Sequence, residues 1–175
     1  MKRSIITLSL ITAILLTKHA SAQDVPVIKE PTGDQPAYKM AIGIRLSSAP
    51  AIVNNSISFK YFMNQRTAIE ALVSFGDPLA FGGLLEFHQP IGTAGLQWFY
   101  GAGAYIGFSK DYNPEKKIEE RNTYFGAQGV AGLDYKFDKI PLNISLDWKP
   151  ELNLVQDINF EPAALALTAR FTFGH

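Results

Sequence analysis

The stretch Pro141–Leu154, PLNISLDWKPELNL, decides the fold of this chain. Every second residue contributes to one apolar face, made of Leu142, Ile144, Leu146, Trp148, Leu152 and Leu154. The residues between them are polar or charged, including Asp147 and Lys149. A period of two residues is that of a β-strand. The stretch is longer than the usual strand of a soluble sheet, and it suits a tilted strand that crosses a bilayer in about 9–11 residues.

The same alternation recurs along the chain and predicts an all-β protein. The other alternating segments are residues 38–47, 56–62, 69–75, 81–88, 96–108, 123–135 and 163–173. Together with 141–154 they predict an eight-stranded antiparallel up-and-down barrel, since transmembrane barrels of bacteria have an even number of strands. Short links at 63–67, 89–95 and 136–140 are expected to be periplasmic turns. The charged segment 109–121 and the segment 155–161 are expected to be outer loops.

The first residues have the pattern of a secretory signal peptide. Lys2 and Arg3 precede an apolar run, and Ala20-Ser21-Ala22 is a small-residue cleavage site. We therefore predict a signal peptide at 1–22, cleaved near Ala22, and a flexible periplasmic lead-in at 23–36 rich in proline and charge. The outer-membrane β-barrel is expected to occupy 37–175.

Composition excludes several classes of protein. The chain has no cysteine, so it has neither disulfides nor a lipid-modified cysteine. Three of its 16 basic residues and none of its 16 acidic residues lie in the predicted signal, which leaves the mature chain with a net charge of about −3. That balance gives no reason to expect nucleic acid. We find no metal-ligand spacing, phosphate-binding loop or nucleophile elbow, and we expect no cofactor, no metal and no enzymatic activity.

Charged residues within the predicted strands share the polar parity. They are Lys39, Arg45, Lys60, Glu70, Glu86, Asp134, Asp147, Lys149 and Arg170. Two architectures have this pattern: a soluble lipocalin-like barrel with an apolar interior that binds a hydrophobic ligand, and a membrane barrel whose apolar face meets lipid. The polar face mixes glycines with bulky residues, which suits a filled interior. Aromatic residues near the strand ends on the apolar face resemble the girdles at membrane interfaces. They are Tyr38, Tyr61, Phe87, Trp98, Tyr100, Tyr135 and Phe173 toward one rim and Phe75, Phe81 and Phe108 toward the other. Both observations favour the membrane barrel.

The predicted interior is filled by its own side chains. An eight-stranded barrel is just wide enough to hold them. Burying unpaired charges would be very costly, so the five cations and four acids are expected to pair with one another as a plug rather than to line an open pore.

His88 is the one histidine within the predicted strands, and it raises the alternative of a lipid-modifying barrel enzyme. It is expected to face inward at the periplasmic end, far from substrates in the outer leaflet. A structural, hydrogen-bonded imidazole is therefore the favoured interpretation.

The C-terminal segment Ala169-Arg170-Phe171-Thr172-Phe173 resembles the assembly signal of outer-membrane barrels, with Phe171 and Phe173 as its aromatic residues. Residues Tyr38–Phe173 as a whole resemble the superfamily of small eight-stranded outer-membrane β-barrels. The resemblance implies a place in the outer membrane of a Gram-negative cell envelope, contact with its lipid and lipopolysaccharide, and insertion by the barrel assembly machinery. It also implies a structural or adhesive role through the outer loops, whose protein partner, if there is one, is left open.

Overall fold

The structure is a computed structural model that describes residues 38–48, 51–113, 118–155, 158–162 and 165–174, with backbone alone at 111–113 and 118–120. The predicted signal peptide and lead-in lie outside these residues. Within the described ranges no helix is long and apolar enough to cross a membrane.

Ten strands form one antiparallel sheet in the described residues. They are β1 (Met40–Ser47), β2 (Ser56–Phe62), β3 (Thr67–Ser74), β4 (Leu79–Pro90), β5 (Leu96–Asn113), β6 (Ile118–Lys136), β7 (Leu142–Trp148), β8 (Glu151–Asn153), β9 (Asn159–Glu161) and β10 (Leu165–Phe173).

Eight of these strands close into a barrel, as the sequence predicted. Each of β1 to β6 pairs with the next strand, β7 pairs with β10, and β10 pairs with β1 to close the ring. Following the registered pairs once around the ring returns to β1 displaced by ten residues. Such a stagger requires strands that tilt by roughly 35–45° to the barrel axis.

Pro150 interrupts the opening stretch without changing its register. Ala131 pairs with Trp148 on one side of the interruption, and Gln128 pairs with Glu151 on the other. The spacing is equal on both strands, so no bulge is present. Pro150 has no N–H to donate, yet its carbonyl still accepts a hydrogen bond from the Gly129 N–H at 2.9 Å. The predicted seventh strand is therefore β7 and β8 in succession.

The prediction of a loop at 109–121 was wrong for most of that segment. β5 continues to Asn113, β6 begins at Ile118, and the two remain registered from the Ser109–Asn122 pair to the Asn113–Ile118 pair. Charge indicated exposure to water there. A two-stranded hairpin can also be exposed to water on both faces, because its backbone groups are already paired.

The two ends of the barrel differ. The turn end carries the links 63–66, 91–95 and 137–141 together with residues 38 and 174, and the loop end carries the other links. Large apolar side chains point outward on every ring strand, for example Ile44, Phe59, Ile69, Phe81, Tyr100, Phe125, Leu146 and Phe171. We call this surface the apolar belt. Ten of the 18 charged side chains whose burial the structure describes are buried, so the usual arrangement of a soluble protein is reversed.

Candidate functional site: the charged interior of the barrel

The interior near the turn end holds the turn-side cluster, made of Lys60, Glu70, Glu86, Asp134 and Arg170. Each comes from a different strand and is almost completely buried. Lys60 Nζ lies 2.8 Å from Glu86 Oε2, 3.4 Å from Asp134 Oδ2 and 3.9 Å from Glu70 Oε2. It also lies 4.6 Å above the centre of the Phe99 ring. One lysine therefore interacts with three carboxylates. The attraction between these opposite charges is stronger in a low-dielectric interior than in water.

Arg170 joins this cluster to the opposite wall of the barrel. Its guanidinium donates to Glu70, to Ser58 Oγ at 2.7 Å and to Ser145 Oγ at 2.8 Å. It also donates to Asn143 Oδ1 at 3.1 Å, and the Asn143 amide in turn donates to Asp134. The planar guanidinium offers several donors in a fixed fork, so one side chain can satisfy acceptors on β2, β3 and β7.

Tyr38 covers the turn end of this cluster. Its hydroxyl donates to Asp134 Oδ2 at 3.4 Å, and its ring packs edge-on against Phe62 with centroids 5.1 Å apart. Burial, followed by the nearby Asp134 carboxylate, raises the pKa of Tyr38 well above its ordinary value. The phenol therefore stays protonated and acts as a donor.

His88 lies beside the turn-side cluster. Its Nε2 is 3.0 Å from Glu86 Oε2, and its ring stacks on Phe99 and packs against Phe62, with centroids 5.0 and 4.8 Å away. The side chain is enclosed, with a residue exposure of 1%. The imidazole is therefore hydrogen-bonded to Glu86 and enclosed between two aromatic rings.

Arg45 and Asp147 form a separate pair between the two ends. Arg45 donates to the two carboxylate oxygens at 2.7 and 2.5 Å, and both side chains are fully buried. This is the two-pronged geometry in which arginine binds a carboxylate most strongly.

The interior near the loop end holds the loop-side cluster, made of Gln128, Lys149, Glu151 and the segment 51–53. Lys149 Nζ donates to Glu151 and, at 3.3 Å, to Gln128 Oε1. The other carboxylate oxygen of Glu151 accepts from the backbone N–H groups of Ile52 at 2.9 Å and Val53 at 3.4 Å. The link between β1 and β2 therefore folds into the barrel and is held there by a buried carboxylate.

Val53 closes the interior on the side of the loops. It is fully buried and packs in one cluster with Leu72, Ala80, Leu84, Phe99, Tyr105 and Val130. Gly107 makes room for its neighbour Ile52, because a Cβ at that position would lie 2.7 Å from Ile52 Cγ2. A cavity of about 260 Å³ remains above this layer, between the segment 51–53, Tyr105 and Tyr124.

The structure places the predicted interior charges in the interior, with one exception. Arg45, Lys60, Glu70, Glu86, Asp134, Asp147, Lys149 and Arg170 are buried there. Lys39 is exposed at the turn end, so its assignment to the interior was wrong. The chain bends there before β1 begins, which turns Tyr38 inward and Lys39 outward. Tyr38 had been predicted on the lipid-facing rim, and that was wrong for the same reason.

Sequence reasoning missed two features of the site. Glu151 has the same parity as Asp147 and Lys149, and this signal could have included it among the interior charges. The inserted segment 51–53, Ala-Ile-Val, is an apolar run within a link, which also indicates burial. The aromatic residues Phe171 and Phe173 of the predicted assembly signal lie on the outer surface of β10. Their role in assembly stays a prediction.

The arrangement can fix charges in place. Within the described residues no group of three or more His, Cys, Asp and Glu has the geometry to hold a metal ion. The cations and carboxylates take one another as partners, so the arrangement holds charges from several strands in fixed positions.

Comparison with known proteins agrees with this architecture. No family model and no curated protein matches the sequence. Among solved structures, the chain is similar to the N-terminal β-barrel domain of Pseudomonas aeruginosa OprF, with a TM-score of 0.59 and 16% sequence identity. The match covers 77% of this chain and 96% of that domain. At this identity the likeness shows the fold alone, which is a closed antiparallel barrel of eight strands.

Proposed function

We propose that this chain is a non-enzymatic outer-membrane barrel with a closed interior, which acts structurally or as an interaction module through its loop end. In this proposal the turn end faces the periplasm and the loop end faces outward, as in barrels with short periplasmic turns and longer outer loops.

The reversed distribution of polarity carries the proposal. The apolar belt runs around the whole ring, and Leu146 and Ile44 in it are 55% and 56% exposed. Arg45, Lys60 and Arg170, in contrast, are each exposed by 1% or less. A water-soluble protein would expose far too much apolar surface in this arrangement. In a bilayer the same surface is favourable, and each strand of the ring is hydrogen-bonded to a strand on both sides, so the sheet has no open edge.

The packing of side chains in the interior supports the proposal that the barrel has no open pore. The turn-side cluster occupies the interior near the turn end, and the apolar layer around Val53 and the loop-side cluster occupy the interior toward the loop end. An ion crossing the barrel would have to separate several buried charge pairs, and each separation would leave unpaired charges in a low dielectric.

The two alternatives are less well supported by the geometry. A lipocalin-like carrier needs an apolar cavity inside, whereas charged and polar side chains occupy much of this interior. A lipid-modifying enzyme needs a reactive group that its substrate can reach, whereas His88 is enclosed between Phe62 and Phe99.

Membrane extraction tests the proposal. The protein, expressed with its N-terminal segment, should remain in the membrane fraction after high salt and alkaline carbonate, and should dissolve only with detergent. Release without detergent would contradict the outer-membrane assignment. The chain has no cysteine, so single thiols at Asp138 in a turn and Asn122 near the loop end can report sidedness with an impermeant maleimide. Only the loop-end thiol should react on intact cells.

Conductance tests the closed interior. The folded barrel inserted into a planar bilayer should show no stable channel at moderate voltage. A purified wild-type protein that conducts steadily would contradict the closed interior while leaving the membrane location intact.

A further inference from the structure

Two cations lie on the outward parity of the barrel, at the upper margin of the apolar belt. Lys110 on β5 and Arg121 on β6 are a registered cross-strand pair, and both side chains are exposed. Among the described side chains of the eight ring strands they are the only charged residues with this parity. The pair directly below them is Phe108 and Thr123.

This pair has no anionic partner in the described part of the chain. The interior cations Arg45, Lys60, Lys149 and Arg170 are each paired with a carboxylate. No described carboxylate lies within ion-pair distance of Lys110 or Arg121. Like charges opposite one another on neighbouring strands repel. An anion placed between them would relieve that repulsion.

The pair borders an open cleft of about 750 Å³ at the loop end of the barrel. Leu79 and Phe108 form its lower wall, and they are registered with each other across β4 and β5. Each of these two side chains is 44% exposed, and both belong to the apolar belt. Asp77 also lines the cleft, so its side chains carry two positive charges and one negative. The cleft thus combines an apolar wall continuous with the lipid-facing surface and a net positive rim.

We propose that this cleft binds the phosphorylated headgroup of a lipid in the outer leaflet, with the phosphate between Lys110 and Arg121 and an acyl chain along Leu79 and Phe108. The inference rests on the proposed function, which places the loop end at the outer interface. Lysine and arginine at a membrane surface attract anionic headgroups, and arginine can bind a phosphate with two parallel hydrogen bonds. The apolar wall favours a lipid over a free anion, because a bound free phosphate would leave Leu79 and Phe108 exposed to water.

Native mass spectrometry of the folded barrel in mild detergent tests this site, with lipid A as the probe. Wild-type protein is expected to retain lipid A and to bind the same lipid more weakly after removal of its phosphates. The Lys110→Ala/Arg121→Ala variant is expected to bind lipid A roughly 30-fold more weakly, because neither cation then attracts the headgroup phosphate. The matched control is Arg66→Ala/Lys139→Ala, which removes one arginine and one lysine from exposed positions at the turn end. Its affinity should equal that of the wild type.

Three results would overturn the inference: equal binding of lipid A by the Lys110/Arg121 variant, equal loss in the turn-end control, or undiminished binding of the dephosphorylated lipid. Displacement of lipid A by inorganic phosphate at similar concentrations would also overturn it, because the site would then recognise a free anion. A gel-mobility assay of heated and unheated samples shows that each variant is folded. The measurement uses detergent-folded protein, so a failure of the membrane location would appear separately, in the extraction experiment.

Discussion

The turn-side and loop-side clusters are both buried and both charged, yet they are built in different ways. In the turn-side cluster every charge comes from a strand, and Arg170 reaches Glu70 across 100 residues of sequence. In the loop-side cluster a single carboxylate, Glu151, binds one lysine and two backbone N–H groups of a link. The first cluster depends on the closed sheet alone. The second depends on a link that folds inward.

This difference indicates which part of the interior separates only when the whole barrel unfolds and which part can open locally. Charges on opposite walls cannot separate unless the barrel opens, so the turn-side cluster is tied to global unfolding. The segment 51–53 can leave its site while the strands stay paired, so the loop-side cluster is tied to a local opening.

Loss of Arg170 should have the largest effect. Arg170→Met removes the guanidinium that serves Glu70, Asn143 and Ser145, and leaves a buried carboxylate with a weaker set of partners. We expect the free energy of unfolding to fall by about 3–5 kcal/mol. Urea titration followed by the fluorescence of Trp98 and Trp148 measures it. Arg66→Met at an exposed turn is the control, and equal losses in the two variants would show that the turn-side cluster is not a special source of stability.

A charge placed in the apolar belt tests the assignment of inward and outward faces, on which the description of both clusters depends. Leu146→Arg should lower the free energy of unfolding in lipid vesicles by about 2–4 kcal/mol near the midplane. The adjacent Ser145→Thr keeps the hydroxyl that accepts from Arg170, and it should cost about 1 kcal/mol. Comparable losses at the two positions in refolding titrations would mean that the inward and outward faces were misassigned.

Loss of the Glu151 charge should affect the loop-side cluster and leave the turn-side cluster unchanged. Glu151→Gln weakens the contact with Lys149 and the hydrogen bonds from Ile52 and Val53. We expect the free energy of unfolding to fall by about 1–3 kcal/mol. The amides of Ile52 and Val53 should then exchange with deuterium faster than in the wild type. Glu70→Gln, the same change in the turn-side cluster, should leave those two amides unchanged. Slow exchange in both variants would show that Val53 packing alone holds the segment.

Joint replacement of the isolated pair should have the smallest effect. Arg45→Met with Asp147→Leu removes both charges and their desolvation cost, so the free energy of unfolding should stay within about 1 kcal/mol of the wild type. Arg45→Met alone leaves a buried carboxylate unpaired, so it should lower the free energy of unfolding more than the double variant does. A double variant as unstable as the single one would mean that the surrounding interior requires the charges themselves.

The sequence predicted most of the ring and most of the charged positions because both follow from one local rule. Alternation sets the face of each residue, so Glu70 and Arg170 were assigned to the interior without knowledge of their partners. The rule fails where a strand begins, as at Tyr38 and Lys39, since a bend there changes the parity. It also fails for the insertion of Val53, because the space for that residue is shaped by strands far away in sequence.

The pairing of β1 with β10 sets the order in which this protein can assemble. β10 supplies both the seam with β1 and Arg170, so the polar interior has no enclosed form until β10 has joined the sheet. Contacts between distant parts of a chain carry a large loop-closure cost and slow its folding. Closure must therefore be a late event, and any earlier intermediate keeps the edges of β1 and the newest strand unpaired. Such a chain needs protection from aggregation until the ring has closed.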